Sequence, residues 1–192
     1  MIGNDIVDLN RAKTSSNWRR RGWLEKVFSE KEQCLINYSK SRTQTLWRLW
    51  SMKESAYKCQ VQQGVLRRFN PRHFQCCISD EVYGAVVSKE FRFYTKTKIN
   101  PQFIHSTASF TNNSLGVAKI ERFNSNGHQS SSEVLRRSVL KLVSETEGYP
   151  IKDLRIEKNV CQIPKVVFKN TVLNIPISLS HHGHFGAFVI SA

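Results

Sequence analysis

The segment that decides the fold lies at residues 50–58 and reads WSMKESAYK. Apolar residues recur at helical spacing through residues 43–60, which predicts a helix there with Gly64 beyond its end. One face of this helix would mix aromatic, acidic and basic side chains, namely Trp50, Lys53, Glu54, Tyr57 and Lys58. The simplest interpretation is a surface ion pair between Glu54 and Lys58. The alternative is a group of side chains with a chemical role.

A second set of charged side chains interrupts the start of the chain. Residues 2–9 read IGNDIVDL and predict a strand with Asp5 and Asp8 among apolar neighbours. A carboxylate on a buried strand is costly unless it binds a cation or hydrogen-bond donors. Carboxylates from separate elements, with lysines nearby, suit a Mg²⁺ ion that also binds phosphate oxygens. The lysines would neutralise the remaining phosphate charge.

The charge balance indicates anionic partners. The 192 residues include 29 Lys and Arg against 15 Asp and Glu, which gives a net charge of +14 and a pI near 9.9. A polyanionic partner explains such a surplus, and so does a solvated basic face. With 40% hydrophobic and 10% aromatic residues the composition is globular, which excludes overall disorder.

The sequence favours a cytoplasmic protein. It contains no apolar run of about 18 residues, so we expect no spanning helix and no membrane partner. Acidic residues in the first ten positions argue against a signal peptide. The five cysteines are odd in number and lack paired C-x-x-C spacing, which predicts reduced and mostly buried thiols.

The pattern of helices and strands divides the chain. Residues 16–28 predict a helix, and Ser29 with Glu32 has the spacing of a capping box before a helix over 30–38. Short β-type runs follow through residues 65–123.

A second unit begins after the polar residues 124–132, which are the best linker candidate. A helix over 132–147 ends at Gly148, and four strand patterns close the chain. We therefore predict an α+β fold with two similar halves, 1–125 and 126–192, each a helix-plus-antiparallel-sheet unit.

Four segments resemble motifs of the 4′-phosphopantetheinyl transferase superfamily. Residues 3–9, GNDIVDL, resemble the G-x-D-I-[VT]-E-[IL] opening of holo-acyl-carrier-protein synthases. Residues 28–32 resemble the F-[ST]-x-x-E segment, and residues 50–58 resemble the W-x-x-K-E-[SA]-x-x-K signature. Residues 177–183, ISLSHHG, are similar to the N-I-S-H-S-G strand.

The resemblance implies a 4′-phosphopantetheinyl transferase-like fold in a permuted order. The motif order matches the short holo-synthases, whereas the length suits the surfactin-type members. Residues 134–140, VLRRSVL, are similar to a helix in the first half of surfactin-type enzymes. Residues 132–192 would then be that half moved to the C-terminus. The implied molecule is a monomeric pseudodimer with its active site between the halves.

The resemblance also implies an activity. The family transfers the 4′-phosphopantetheine arm of coenzyme A to a serine of an acyl or peptidyl carrier protein and releases adenosine 3′,5′-bisphosphate. Asp5 and Glu54 would hold Mg²⁺ against the pyrophosphate. The attacking hydroxyl needs a base; Glu32, Glu54 and a Mg-bound water all stay open. Arg11 matches an arginine of the family and would help dock an acidic carrier protein.

The contacts to coenzyme A would come from both halves. Lys53 and Lys58 would bind its phosphates, with Lys58 also counted among the catalytic residues. Ser180 and His181 would bind it from the opposite half. His105 holds a comparable position before a strand of the first half, and a direct role for it is the less favoured interpretation.

Some positions depart from the family pattern. Val7 stands where surfactin-type enzymes have a third acid, which implies a metal held by two carboxylates and more water, with Asp8 behind them. Ile163 stands at the lysine of the family's G-K-P turn, so Lys165 would substitute in binding coenzyme A. His128 falls near a position where relatives have an arginine.

Two other functions stay open. The departures at Val7 and Ile163 allow a non-catalytic relative that only binds coenzyme A. A basic nucleic-acid-binding protein is the third hypothesis, but the sequence shows neither a known module nor an obvious interleaving of basic and aromatic residues, so we expect no nucleic-acid partner. The run Arg19–Arg21 is either a solvated face or a docking site for an acidic partner.

Overall fold

The computed structural model describes residues 1–64, 68–89, 91–112, 115–123 and 130–191, which form two antiparallel five-stranded sheets and five α-helices. The helices are α1 (Leu9–Ser15), α2 (Trp23–Val27), α3 (Glu30–Tyr38), α4 (Arg42–Val61) and α5 (Ser131–Glu147). The strands are β1 (Ile2–Asp8), β2 (Gln75–Ile78), β3 (Tyr83–Ser88), β4 (Phe91–Ile99), β5 (Phe103–Ser109), β6 (Val117–Arg122), β7 (Leu154–Lys158), β8 (Pro164–Phe168), β9 (Thr171–His182) and β10 (Phe185–Ile190).

The first sheet has the strand order β1–β5–β4–β3–β2, and α4 lies across one of its faces. Leu49 and Met52 of α4 are fully buried in one core with Val86 of β3 and Ile104 of β5. This burial of apolar side chains is the main stabilising contribution to the half.

A glycine sets the close approach of β1 to α4. A Cβ built on Gly3 would overlap the backbone carbonyl oxygen of Ser55 and crowd the backbone nitrogen of Cys59. Only a residue without a side chain fits between these two backbones. The approach brings Asp5, two residues further along β1, against the side chains of α4.

The second sheet has the strand order β6–β10–β9–β8–β7, and α5 covers one of its faces. Leu135, Val139 and Val143 recur every four residues and pack with Leu154 and Phe188 in a second core. This repetition of one long helix on one antiparallel sheet confirms the predicted α+β fold with two similar halves.

The two sheets meet along β1. A third, small core holds Ile6 and Phe103 of the first sheet against Phe185 and Ala187 of β10. The rings of Phe103 and Phe185 lie 5.1 Å apart. Residues 2, 4, 6 and 8 of β1 alternate toward the second half, and residues 3, 5 and 7 toward α4.

Most of the predicted helices are confirmed. Ser29 and Glu32 form the expected capping box at the start of α3, and α4 extends one residue beyond the prediction at each end. Gly148 ends α5 in the left-handed conformation at φ 76°. The helix predicted over 16–28 is wrong, because Gly22 at φ 78° ends the preceding turn and only α2 forms after it.

The predicted boundary at residue 125 needs correction. β6, which the prediction placed in the first half, pairs with β10 in the second sheet. By sheet membership the division falls between the end of β5 and the start of β6. The sequence could not show this, because strand pairing is decided by contacts distant along the chain. Most of the linker proposed for 124–132 lies outside the described residues.

The cysteines are free, but only Cys59 and Cys76 are buried. Cys34 and Cys77 are exposed, so the expectation of mostly buried thiols is wrong. Among the described residues, no helix is both long enough and apolar enough to cross a membrane.

Candidate functional site

Three charged side chains meet where β1 faces α4. Lys58 Nζ lies 3.1 Å from Asp5 Oδ1 and also donates to the backbone oxygen of Asn4 at 3.0 Å. Ser51 of α4 donates to the backbone oxygen of Asp5 at 3.0 Å. Glu54, one helical turn before Lys58, completes the group. The salt bridge of Lys58 therefore joins α4 to β1. The simplest interpretation of the sequence was a different pair, between Lys58 and Glu54 within α4.

The two carboxyl groups influence each other. Burial, and after it the negative charge of Asp5, raises the pKa of Glu54 to about 7, against the opposing charge of Lys58. Burial also raises the pKa of Asp5, although the charge and hydrogen bond of Lys58 oppose this rise. Such a site favours an additional positive charge.

The donor set fits a divalent cation. Asp5 Oδ2 is buried and has no hydrogen-bond partner among the residues that the structure describes. An uncommitted carboxylate oxygen beside a second carboxylate is what Mg²⁺ binds, with water and phosphate oxygens as further ligands. Within the described ranges, no cluster of three or more His, Cys, Asp or Glu side chains could hold a metal ion. Val7, at the position of the absent third acid, is buried in the first core.

A cavity of about 230 Å³ opens beside this group, between the two halves. Lys58 forms part of its wall from α4, together with Tyr57 and Gln62. The second half contributes the two cations Arg136 and Lys158, together with His181 and the apolar side chains of Ile156, Ile163 and Leu179. Cations around an apolar pocket suit a nucleotide-like ligand with phosphate groups.

The two histidines of β9 face different surroundings. His181 is exposed and lines the cavity. His182 Nδ1 accepts a hydrogen bond of 3.0 Å from the backbone N–H of Asp8. Burial lowers the pKa of His182, against the charges of Asp8 and Asp5. Only His181 was expected at the site from the sequence. Successive residues of a strand face opposite sides, so one of the two histidines, here His182, must face β1.

Asn4 links the halves through its side chain and backbone. Its Oδ1 accepts from Ser180 Oγ at 2.8 Å and lies 3.3 Å from His105 Nε2. Its backbone N–H donates to Ser178 Oγ at 3.1 Å. Ser180 is buried and its hydroxyl is committed to Asn4, so the structure does not place this hydroxyl at the cavity. Burial, followed by the charges of Lys58 and Lys98, lowers the pKa of His105 to about 4, so this histidine is neutral.

Lys53 and Glu32 are not part of the site, which corrects their expected roles in phosphate binding and catalysis. Their side chains are 0% and 1% exposed, and Lys53 Nζ lies 2.8 Å from Glu32 Oε2. The same Nζ donates to the backbone oxygens of Pro71 and Phe74. Glu32 also accepts from the backbone N–H of Ser29 and of Cys76. With these partners the pair is a structural element of the first core.

Asp8 joins the start of α1 to the second half. Its Oδ1 caps α1 by accepting from the backbone N–H groups of Asn10 and Arg11, and its Oδ2 accepts from that of His184. Burial works against ionisation, but these hydrogen bonds outweigh it and lower the pKa of Asp8. Arg11 is exposed and lies beside Gly183 in the β9–β10 turn.

Lys158 is a cation that the sequence analysis missed. It ends β7 and lines the cavity, as Ile163 does. Lys165, the expected substitute for the missing lysine, lies on β8 opposite Glu157 and is not among the described residues that line the cavity. His128 lies outside the described residues. The sequence could have indicated Lys158, because this residue ends a predicted strand and the following turn leads to Ile163, the position of the family's lysine.

Several solved structures and one family model match the chain. No curated protein matches the chain. Solved structures that match include the Helicobacter pylori holo-[acyl-carrier-protein] synthase in complex with coenzyme A, at 19% identity and a TM-score of 0.46, over 56% of this chain and 97% of that one. They also include the Chronobacterium ammoiniagenes apo-ACPS structure, at 18% identity and a TM-score of 0.47, over 56% of this chain and 93% of that one.

A third match is the Thermotoga maritima holo-[acyl-carrier-protein] synthase, at 10% identity and a TM-score of 0.44, over 89% of this chain and 83% of that one. The decisive comparison is with protein families. Residues 1–113, which hold β1, α4 and the whole first sheet, match the family model described as the 4′-phosphopantetheinyl transferase superfamily. Because this match spans more than half of the chain, the protein belongs to the 4′-phosphopantetheinyl transferase superfamily.

Proposed function

We propose that this protein transfers the 4′-phosphopantetheine arm of coenzyme A to a serine of an apo-carrier protein in a Mg²⁺-dependent reaction that releases adenosine 3′,5′-bisphosphate. One observation supports the proposal most strongly. The carboxyl groups of Asp5 and Glu54 lie together beside a cavity that is lined by cations from both halves. Membership of the superfamily is the reason to interpret this arrangement as a site for coenzyme A and Mg²⁺.

Asp5 and Glu54 would hold the metal ion. When bound, Mg²⁺ supplies positive charge that stabilises the pyrophosphate oxygens and the leaving group. Lys58, fixed by Asp5 and by the backbone of Asn4, adds a second positive charge at the same edge of the cavity.

The cavity would receive coenzyme A. Arg136 and Lys158 supply charge for its phosphates, while Ile156 and Ile163 offer apolar contacts. His181 is exposed at the cavity and can donate a hydrogen bond. Lys58, Arg136 and Lys158 would orient the pyrophosphate toward Asp5 and Glu54. Such positioning of the reacting groups would raise the rate of transfer.

The serine hydroxyl of the carrier protein must lose a proton as it attacks the β-phosphorus of coenzyme A. Glu32 is buried against Lys53, which favours a base elsewhere in the site. Glu54 or a water molecule in the same site therefore takes the proton. Arg11, exposed on α1 and close to the β9–β10 turn, would attract an acidic carrier protein.

Since both halves of the site come from one chain, we propose that the protein works as a monomer. We also propose that it acts in the reducing cytoplasm, where five free thiols persist.

The second candidate function is that of a relative that binds coenzyme A without turnover. Val7 and Ile163 favour it, because they stand where the family pattern has an acid and a lysine.

One experiment separates the two functions. The folded protein is incubated with coenzyme A, Mg²⁺ and several apo-carrier proteins, with and without a metal chelator, and the carrier masses are measured. The proposal predicts that at least one carrier gains the mass of the arm and that chelation prevents this. Calorimetric binding of coenzyme A with no mass gain on any carrier would support the second candidate instead.

A further inference from the structure

The first sheet has a large groove on the face opposite α4. Its volume is about 1520 Å³, its floor is formed by β3, β4 and β5, and one wall is formed by β6. Its lining also extends to Gln44, Thr45 and Arg48 near the start of α4. We call it the basic trough and define it by Tyr83, Arg92, Tyr94, Lys96, Lys98 and Ile120. It is several times larger than the cavity between the halves and lies on the other side of the first sheet from Glu54.

The floor of the trough is a row of positive charges on one strand. Arg92, Lys96 and Lys98 are exposed and occupy alternate positions of β4, so they project from one face of the sheet. The residues between them, such as Phe93 and Thr95, are buried on the α4 side. Alternate positions on a strand lie about 7 Å apart, so Lys96 and Lys98 are neighbours in the row, whereas Tyr94 separates Arg92 from Lys96.

These charges are not neutralised within the described part of the chain. None of the three cations is within 4.0 Å of a described carboxylate. Among the described residues that line the trough, Glu81 of the β2–β3 turn is the one acidic residue, and it is exposed. The neighbouring Asp80 Oδ1 already accepts from the backbone N–H groups of Val82 and Tyr83. Part of the +14 charge of the protein is therefore gathered where the candidate active site does not use it.

The wall of the trough is apolar. Leu115, Ala118 and Ile120 line it, and β6 is the edge strand of the second sheet. A surface with a basic floor and an apolar wall matches a partner that is acidic on one side and apolar on the other. The distance from β3 to β5 spans two strand spacings, about 10 Å, which equals the diameter of an α-helix with its side chains.

We propose that the basic trough is a docking site for an acidic amphipathic helix of a partner protein. The aromatic residues of the floor favour this partner over a single-stranded nucleic acid. Base stacking needs an open ring face, but Arg92 lies 5.8 Å from the ring centre of Tyr94 and Lys96 lies 5.9 Å from that of Tyr83. The proposal does not depend on the transferase activity.

The test measures binding by fluorescence anisotropy with two labelled probes. One is a peptide of about four helical turns, built from Glu with Leu at helical spacing; the other is a single-stranded oligonucleotide. The trough variant Lys96→Glu/Lys98→Glu is compared with Lys119→Glu/Lys152→Glu, which changes the net charge equally at exposed positions outside the trough. A milder variant, Lys96→Ala/Lys98→Ala, serves if the first folds poorly.

The proposal predicts that wild type binds the peptide and that the trough variant binds it at least about ten-fold more weakly, while the Lys119/Lys152 variant changes the affinity less than about two-fold. Replacing Leu by Ser in the peptide should also weaken binding, and Glu54→Gln in the protein should leave it unchanged. Equal weakening by both lysine variants would overturn the proposal, since it would show attraction to net charge alone. Tighter binding of the oligonucleotide than of the peptide, lost in the trough variant, would also overturn it and identify a nucleic-acid site.

Discussion

At the scale of single residues, adjacent positions of α4 have opposite functions. Lys53 is buried against Glu32 and Glu54 faces Asp5, although the two are neighbours in the chain. Successive residues of a helix point about 100° apart, so they cannot share all their contacts. The sequence motif predicted that both positions matter, but only the packing of α3 and β1 on either side of α4 decides which one faces the candidate site.

Lys53→Met should destabilise the protein. The change leaves the carboxylate of Glu32 buried with one charge partner fewer, which costs about 3–5 kcal/mol. Urea unfolding of the variant and wild type measures this loss. If Lys53 instead contacted coenzyme A, the variant would keep its stability and lose affinity for coenzyme A, and that result would contradict the assignment.

Glu54→Gln should stabilise the metal-free protein in a pH-dependent way. Because the folded-state pKa of Glu54 is raised from 4.5 to about 7, the folded protein keeps a proton in this pH range that the unfolded chain releases. Stability linked to Glu54 is therefore present below this range and lost as the pH rises through it. Glutamine removes that loss. The free energy of unfolding of the variant should therefore exceed that of wild type by about 1–3 kcal/mol above pH 7 and by little at pH 4.

The measurement is urea unfolding at both pH values in the presence of a chelator. Addition of Mg²⁺ should stabilise wild type at high pH more than it stabilises the variant. An equal gain at both pH values would show that the Glu54 carboxyl is ionised in the metal-free fold and would refute the electrostatic account of the site.

At the scale of elements, local signals were sufficient for the helices and insufficient for the strands. The capping box at Ser29 and the stop at Gly148 were readable because each depends on residues three or four positions apart. The pairing of β6 with β10 joins residues about 65 positions apart. The different surroundings of His181 and His182 were not predicted for the same reason, since the alternation of β9 was visible but the neighbour on each side was not.

Gly3→Ala should separate β1 from α4. The added methyl group overlaps the Ser55 carbonyl oxygen, which is backbone and cannot rotate away. We expect a loss of about 3 kcal/mol in stability from this overpacking, and a larger loss of Mg²⁺-dependent activity because Asp5 shifts relative to Glu54. Thermal unfolding and the transfer rate measure the two effects. A variant with wild-type stability and activity would show that the contact of β1 with α4 does not set the site.

At the scale of the whole molecule, the two halves are joined by polar contacts around Asn4 as well as by the small apolar core. Asn4 touches Ser178 and Ser180 of β9 and His105 of β5, and its backbone oxygen accepts from Lys58. A single side chain thus ties the second half to the strand that carries Asp5. This explains why a site divided between two halves can keep a fixed geometry.

Ser180→Ala should therefore weaken the junction between the halves without removing a ligand contact. Loss of the buried hydrogen bond to Asn4 costs about 1–3 kcal/mol. We expect the affinity for coenzyme A to change less than about three-fold, because the hydroxyl points to Asn4. Urea unfolding and calorimetry test this together. A large loss of affinity with unchanged stability would restore the direct contact that the family resemblance implies for this serine.

We propose that Asp5 and Glu54, beside the cation-lined cavity between the halves, form the active site of a phosphopantetheinyl transferase. The most direct measurement is the initial rate of mass gain of an apo-carrier protein for wild type, Glu54→Gln and Lys141→Ala, where Lys141 is a surface residue paired with Glu145 on α5. We expect transfer by wild type and by Lys141→Ala at similar rates, and a rate at least about 100-fold lower for Glu54→Gln. Transfer by folded Glu54→Gln at the wild-type rate would contradict this proposal.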